Sequence, residues 1–151
     1  MRRFVAALLI MAMFIPVTAI NVSAQDQNVN GVEWFDEGSY ILERISTYDS
    51  RLSGRKTGSK TYDYYGSDGK LKWSASVFGN FVYTGATSSC TESNVTVSIY
   101  DDQWVVVSKQ ASRNGSVATG EVVMGMTRLG VTVGTVKYSV SLTCDANGNL
   151  C

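Results

Sequence analysis

Histidine is absent from this chain of 151 residues. Its absence excludes the catalytic arrangements that depend on an imidazole: the serine–histidine–aspartate triad, the cysteine–histidine pair and histidine-ligated zinc. No glycine-rich loop lies between a strand and a helix to indicate phosphate binding, and the three cysteines lack the spacing of a zinc site. We therefore expect no cofactor and no metal, and we expect a protein that is not an enzyme.

Paired carboxylates are the remaining route to acid–base catalysis without histidine. Asp101 and Asp102 form an adjacent pair at a turn signal between two strands. Aspartate is favoured in turns because its side chain binds the local backbone, so a solvated turn is the preferred interpretation. A hydrolase that uses carboxylates alone is the enzymatic alternative, and loss of activity on replacing Asp101 or Asp102 with alanine would identify it.

The chain also lacks clusters of like charge, and it has little proline. The chain has 13 lysine and arginine residues against 13 aspartate and glutamate residues, and neither sign is grouped. Nucleic acids require a basic stripe, so nucleic acid and anionic membrane are not expected partners. Proline occurs once, at Pro16. The abundance of glycine, serine, threonine, valine and tyrosine favours strands and turns over helices.

The N-terminal residues have the pattern of a secretory signal peptide. Arg2 and Arg3 precede an apolar run over residues 4–15. This run is shorter than the roughly 20 residues that cross a bilayer. Small residues at 22–24 precede a cleavage site ahead of Gln25. We expect residues 1–24 to be removed and the mature protein to be secreted, with no membrane association after cleavage. A membrane anchor or an apolar core helix is the alternative interpretation.

The rest of the chain divides into two parts. Residues 25–60 are expected to form an N-terminal segment that is partly disordered. Within it, the apolar spacing of residues 39–48 fits a helix or a strand, and residues 51–60 have the composition of a solvated loop. In residues 61–151 apolar and polar residues alternate, as in half-buried strands. This second part is expected to be the folded domain.

The alternation and the turn signals predict the fold class. Leu71, Trp73, Ala75 and Val77 fill one face of a long strand, and Asn-Gly pairs at 114–115 and 147–148 indicate tight turns. About six to eight such strands with regularly spaced turns are typical of a sandwich. We predict an all-β domain, a small antiparallel β-sandwich that is immunoglobulin-like or related and has one disulfide.

Three cysteines allow three single pairings, each of which leaves one thiol. Export permits a disulfide, and Cys144 lies on the apolar face of its strand. Cys144 and Cys151 are symmetric about the Asn147-Gly148 turn. A two-residue hairpin would, however, place them at a hydrogen-bonded site, where paired residues stand further apart. We therefore predict a Cys90–Cys144 disulfide with Cys151 free. Three reduced thiols are the alternative.

An exposed aromatic patch is the second candidate feature. Tyr65 and Phe78 have the parity opposite to that of the core residues, so they face the other side of the sheet. Exposed aromatic residues can mark a surface that binds a ligand or a protein. A second packed layer, or cover by the N-terminal segment, is the structural alternative.

Several stretches resemble one group of known proteins. They are GSKTYDYY at 58–65, GNFVYTG at 79–85 and LTCDANGNL at 142–150, together with Trp73, Cys90 and Trp104. Across residues 55–151 the chain resembles small secreted proteins of Gram-positive, mainly clostridial, bacteria. The resemblance implies export and a structural Cys90–Cys144 pair, and it implies no activity and no catalytic residues. Cys151 departs from the resemblance, which implies a small polar residue there.

Taken from the sequence, the expected function is that of a secreted, non-enzymatic binding or interaction module. Its target is expected to be a cell-envelope glycan or an extracellular protein. A secreted antimicrobial or toxin-like β-protein is the alternative.

Overall fold

A computed structural model describes residues 26–35, 37–48 and 54–151 of the chain. The expected signal peptide, residues 1–24, lies outside the described residues, as do residues 51–53 of the predicted loop. The described part contains no helix that is long and apolar enough to cross a membrane. It forms eight strands: β1 (Asp26–Trp34), β2 (Tyr40–Tyr48), β3 (Arg55–Tyr65), β4 (Leu71–Tyr83), β5 (Ser88–Ile99), β6 (Trp104–Asn114), β7 (Val117–Arg128) and β8 (Val131–Thr143).

The strands form two antiparallel sheets, which confirms the all-β prediction. The first sheet has five strands in the order β1-β2-β3-β4-β5, and the second has three in the order β6-β7-β8. Every hydrogen-bonded neighbour among the described strands is therefore a neighbour in sequence. An immunoglobulin fold contains a Greek key, in which a later strand returns beside an earlier one. The described strands form two simple meanders without such a return, so they do not confirm the immunoglobulin-like part of the prediction.

Residues 25–60 contain more regular structure than their composition suggests. Strand β2 lies within residues 39–48, whose apolar spacing fits either a helix or a strand. Residues 55–60, predicted as a loop, begin strand β3: Gly58 pairs with Thr47 on one side and with Gly79 on the other. Partners on both sides satisfy the backbone hydrogen bonds of this stretch, and this outweighs its loop-like composition.

The core lies between the two sheets, and both sheets contribute to each of its clusters. One cluster joins Val77 and Phe81 of β4 to Val140 and Leu142 of β8. The other is built around the two tryptophans Trp73 and Trp104, with Met124 of β7. The predicted alternation in β4 is confirmed for Trp73, Ala75 and Val77, which are all 0% exposed. It is wrong for Leu71, because a register shift pairs Leu71 with Tyr65 on the outer face and leaves it half-buried.

Glycine allows the sheets to approach closely at one position. A Cβ atom placed on Gly120 of β7 would lie 2.8 Å from Cγ2 of Val95 and 3.3 Å from Cβ of Val77, both in the opposite sheet. Real side chains do not occupy such distances, so a larger residue would force the sheets apart.

The β6–β7 hairpin confirms a predicted turn but shifts it by one residue. Asn114 pairs with Val117, so the two turn residues are Gly115 and Ser116. Gly115 has a φ of 54°. A two-residue turn of type II′ needs a positive φ at its first central position, and glycine supplies it without strain.

The three cysteines are free thiols, so the predicted Cys90–Cys144 disulfide is wrong. The Cys90 sulfur donates to the carbonyl of Glu92 at 3.1 Å, whereas the Cys144 sulfur donates to that of Asp145 at 3.5 Å. The backbone N–H of Cys90 binds Gly115 O, and that of Cys144 binds Ser116 O. Both cysteines thus bind the β6–β7 turn through their backbones, while their sulfurs face different carbonyls.

A Cys144–Cys151 bond is excluded by the register of the last hairpin. Cys144 bridges to Leu150, and Thr143 exchanges two backbone hydrogen bonds with Cys151. The turn has three residues, 146–148, and ends at Gly148 with a φ of 88°. Because the turn is one residue longer than the predicted one, Cys144 and Cys151 are offset by one position. Residues so offset point to opposite faces.

We expect three thiols to react with an alkylating reagent after denaturation without reductant, and only Cys151 to react quickly in the folded protein. Burial raises the pKa values of the Cys90 and Cys144 thiols, which lowers their thiolate fraction at neutral pH. Intact-mass measurement after native and denaturing alkylation would count them. The Cys151→Ser variant is the control and should lose the fast reaction. A single reactive thiol after denaturation would show a disulfide and contradict the structure.

Candidate functional site

Four turns lie at one end of the molecule, because alternate strands of a meander run in the same direction. They follow β1, β3, β5 and β7 and include residues 35 and 37–39, 66–70, 100–103 and 129–130. We call this end the loop end. Binding residues often lie on loops that a rigid sheet holds in place, so the loop end is the first place to seek a site.

A cavity of about 270 Å³ opens among the first three of these turns. This volume lies near the lower limit of about 300 Å³ for small-molecule sites and suits one ring-sized group. We call the cavity the loop-end pocket. It is lined by Glu37, Ser39, Tyr64, Gly66, Ser67, Asp68, Lys72, Asp101, Gln103, Trp104 and Met126.

One lysine joins two carboxylates at this pocket. The Lys72 ammonium binds Oδ2 of Asp68 at 2.8 Å and Oδ2 of Asp101 at 2.9 Å. The second oxygen of each carboxylate accepts a backbone N–H: Asp68 from Lys70 at 3.1 Å, and Asp101 from Gln103 at 2.9 Å. Each carboxylate is held at both oxygens, so its orientation is fixed before any ligand binds.

The pKa shifts of this group differ from those of a carboxylate acid–base pair. The hydrogen bonds from Lys72 hold the pKa values of Asp68 and Asp101 below their usual range, and the bond to Asp68 raises the pKa of Lys72. A carboxylate hydrolase needs one acid with a raised pKa that can donate a proton at neutral pH. Both of these carboxyl groups are shifted in the opposite direction, so neither suits that role.

An aromatic wall forms the inner side of the pocket. Tyr64 stacks on Trp73 with ring centroids 5.2 Å apart, and the Trp104 ring meets Tyr64 edge-on at 5.3 Å. Tyr138 also packs against Trp73, with ring centroids 5.0 Å apart. Burial raises the pKa of Tyr138 to about 12, so its hydroxyl stays neutral. Trp104 is itself buried, at 6% exposure, so the half-buried Tyr64 supplies most of the ring surface that a ligand could reach.

Tyr65 and Phe78 lie on the same outer face of the five-stranded sheet, but not side by side. Tyr65 pairs with Leu71 at one end of β4, whereas Phe78 pairs with Ser59 further along. A polar pair, Thr61 and Ser76, hydrogen-bonds at 2.7 Å between them. Both aromatic residues are half-buried, and they do not form one patch.

Tyr65 belongs instead to an aromatic row across three strands. The Tyr65 ring stacks on Tyr40 at 4.7 Å with an interplanar angle of 7°, and Tyr40 meets Trp34 at 4.7 Å. Trp34 ends the row at the loop end and is 67% exposed. Sequence reasoning missed this row, because Tyr40 meets Tyr65 only in a register that pairs residues 25 positions apart, and Trp34 joins the row through Tyr40.

Sequence reasoning also missed the lysine bridge. Asp68 lies in the turn between β3 and β4, and Lys72 follows it by four residues, which is a usable signal for a contact across a tight hairpin. Asp101 binds its local backbone as a turn aspartate does. Its contact with Lys72, 29 residues away, could be found only from the pairing of β4 and β5.

Comparison of the chain with protein-family models, with curated proteins and with solved structures gave no match. Within the described ranges, no three potential metal ligands come together. The function is therefore inferred from the geometry of the loop end.

Proposed function

We propose that this protein is a secreted, non-enzymatic binding module that holds a cell-envelope glycan in the loop-end pocket. One observation carries the proposal: Lys72 fixes the carboxylates of Asp68 and Asp101 beside the aromatic wall of Tyr64 and Trp104. Ligand sites typically combine an apolar wall with a few fixed polar groups.

Each part of the pocket suits one part of a sugar. The aromatic wall offers an apolar surface to the C–H face of a ring, and the carboxylates accept hydrogen bonds from hydroxyl groups. Hydrogen bonds to a charged group are stronger than those between neutral groups. Because Asp68 and Asp101 are already oriented, less conformational entropy is lost on binding.

The charges of the pocket narrow the class of sugar. Glu37, Asp68 and Asp101 outnumber the single cation Lys72. A surface with excess negative charge repels acidic ligands and attracts neutral or cationic ones. The pocket therefore favours neutral sugars and amino sugars over uronic acids and phosphorylated polymers.

The proposed architecture is a small β-sandwich that binds at one end. Its support is that buried residues of the two sheets share clusters, so the sheets face each other across one core. Sandwich domains commonly bind through the turns at one end. Trp34, at the end of the aromatic row, lies beside the first of these turns and offers a further ring surface for a longer glycan.

Binding of the purified chain to insoluble peptidoglycan and to an array of neutral, amino and acidic glycans tests the proposal. Asp101→Asn keeps the shape and the bond from Gln103 but removes the charge that pairs with Lys72. We expect this variant to lose affinity about tenfold or more, which corresponds to about 1.4 kcal/mol. The bound glycan should be recovered at its original length.

The matched control is Glu121→Gln. Glu121 also pairs with a lysine, Lys137 at 3.0 Å, but this pair is solvent-exposed in the other sheet. The control should bind as the unmodified chain does. Equal losses in both variants, no loss in Asp101→Asn, or shortened glycan products would contradict the proposed site or its non-enzymatic character.

A further inference from the structure

The β7–β8 hairpin places an apolar residue where the backbone disfavours it. Arg128 pairs with Val131, so Leu129 and Gly130 form a two-residue turn. Their φ values are 51° and 77°, as a type I′ turn requires. Asparagine and glycine adopt this conformation readily, whereas a leucine there brings its Cβ too close to the following carbonyl oxygen.

The same residue is also fully exposed. Leu129 has 104% of its reference exposure, and the nearby Val131 and Val133 have 64% and 56%. Leu129, Val131 and Val133 thus form one exposed apolar group at the turn and the start of β8. An exposed apolar group of this kind can mark a contact surface.

The hairpin is held rigidly. Thr127 donates both its backbone N–H and its hydroxyl to the carbonyl of Gln103, at 2.6 Å and 3.1 Å. These bonds tie the hairpin to the β5–β6 turn, so Leu129 projects from a fixed base. A rigid apolar projection loses little conformational entropy when a partner covers it.

Leu129 is flanked by an acidic and a basic side chain that do not pair with each other. Asp102 and Arg128 line the same surface depression as Leu129, and neither forms an ion pair within the part of the chain that the structure describes. The adjoining strand β8 is the outer strand of its sheet and carries a single charged residue, Lys137. Edge strands are usually protected by charge, and this one has little.

We propose that this surface forms a two-fold dimer of the chain. Leu129 packs against the hairpin of a second copy, and Asp102 of each copy faces Arg128 of the other. A two-fold interface must be self-complementary, and a patch with one acid and one base beside an apolar projection meets that condition. Asp101 and Asp102 at the base disfavour an anionic lipid surface as the occupant. The dimer goes beyond the proposed glycan binding, because it would bring two loop-end pockets together and raise avidity.

Sedimentation velocity of the full chain over a wide concentration range tests the dimer. Leu129→Asn should raise the dissociation constant about tenfold or more, as truncation of a central apolar contact does. The same change should raise the melting temperature of the monomer, because asparagine suits the turn. Loss of the dimer together with a more stable fold cannot be attributed to unfolding.

Charge reversal tests the predicted pairing. Asp102→Arg and Arg128→Asp should each weaken the dimer, and the double variant should restore it. A chain that is monomeric at every concentration, or a dimer unaffected by Leu129→Asn, would overturn the proposal. So would a monomer that co-sediments with phosphatidylglycerol vesicles through Leu129, since the surface would then be a membrane contact.

Discussion

Replacing Trp73 with alanine should lower the free energy of unfolding by about 4 kcal/mol, the loss typical of a large aromatic residue deleted from a core. Trp73 is 0% exposed and lies in contact with Tyr64, Trp104 and Tyr138. Alanine would remove the surface on which all three rings pack and leave a cavity between the sheets. Urea denaturation followed by circular dichroism would measure the change.

Two further variants test whether the loss of stability in Trp73→Ala comes from lost packing. Trp73→Phe should cost clearly less than alanine, because the buried indole N–H has no hydrogen-bond partner among the described residues and only volume is lost. Trp34→Ala removes the same side chain from an exposed position and should cost no more than about 1 kcal/mol, the value of an aromatic pair. Similar losses for Trp73→Ala and Trp34→Ala would contradict the described core.

Replacing Asp63 with alanine should destabilise the fold by about 3 kcal/mol, because a buried ion pair loses one partner. Asp63 is 2% exposed. Its carboxylate accepts hydrogen bonds from the Ser74 hydroxyl at 2.5 Å and from the Arg44 guanidinium at 2.7 Å. These bonds link β2, β3 and β4 across one face of the sheet. The expected loss is at the lower end of the range for such pairs, because the Arg44 side chain is 32% exposed and can be partly hydrated.

The exposed pair of Glu121 and Lys137 provides the comparison for Asp63. Glu121→Ala should change stability by no more than about 0.5 kcal/mol, since exposed ion pairs contribute little. Ser74→Ala should cost about 1 kcal/mol, the value of one hydrogen bond. If Asp63→Ala were as mild as Glu121→Ala, the network around Asp63 would have no structural role.

The sequence predicted the strands whose two faces differ most in polarity. In β4, apolar residues alternate with serine and lysine, and Trp73, Ala75 and Val77 are buried as predicted, whereas Leu71 is not. Strands β2 and β3 gave weaker signals, because inward-facing positions hold Glu43 and Lys60, which pair with each other at 2.9 Å. A charged pair on the inner face interrupts the apolar alternation, so the sequence left helix and strand open for β2 and indicated a loop at the start of β3.

The features that sequence reasoning missed have one physical origin, which is register. The last hairpin turns over three residues instead of two, so Cys144 and Cys151 point to opposite faces, and the predicted absence of a bond between them holds for a different reason. The aromatic row and the lysine bridge likewise depend on which residues face each other across strands. Local sequence indicates that a strand exists and where it turns, but pairing over 25 or more residues is decided by the packing of the whole sheet.

The most direct test of the glycan-binding proposal is amide chemical-shift mapping. The ¹⁵N-labelled chain would be titrated with a soluble form of the glycan that the array selects. We predict shift changes confined to residues 37–39, 66–72 and 101–104, together with the indole N–H of Trp104, because these surround the loop-end pocket. Changes centred instead on the exposed face of the second sheet, around Glu121 and Lys137, would contradict the account.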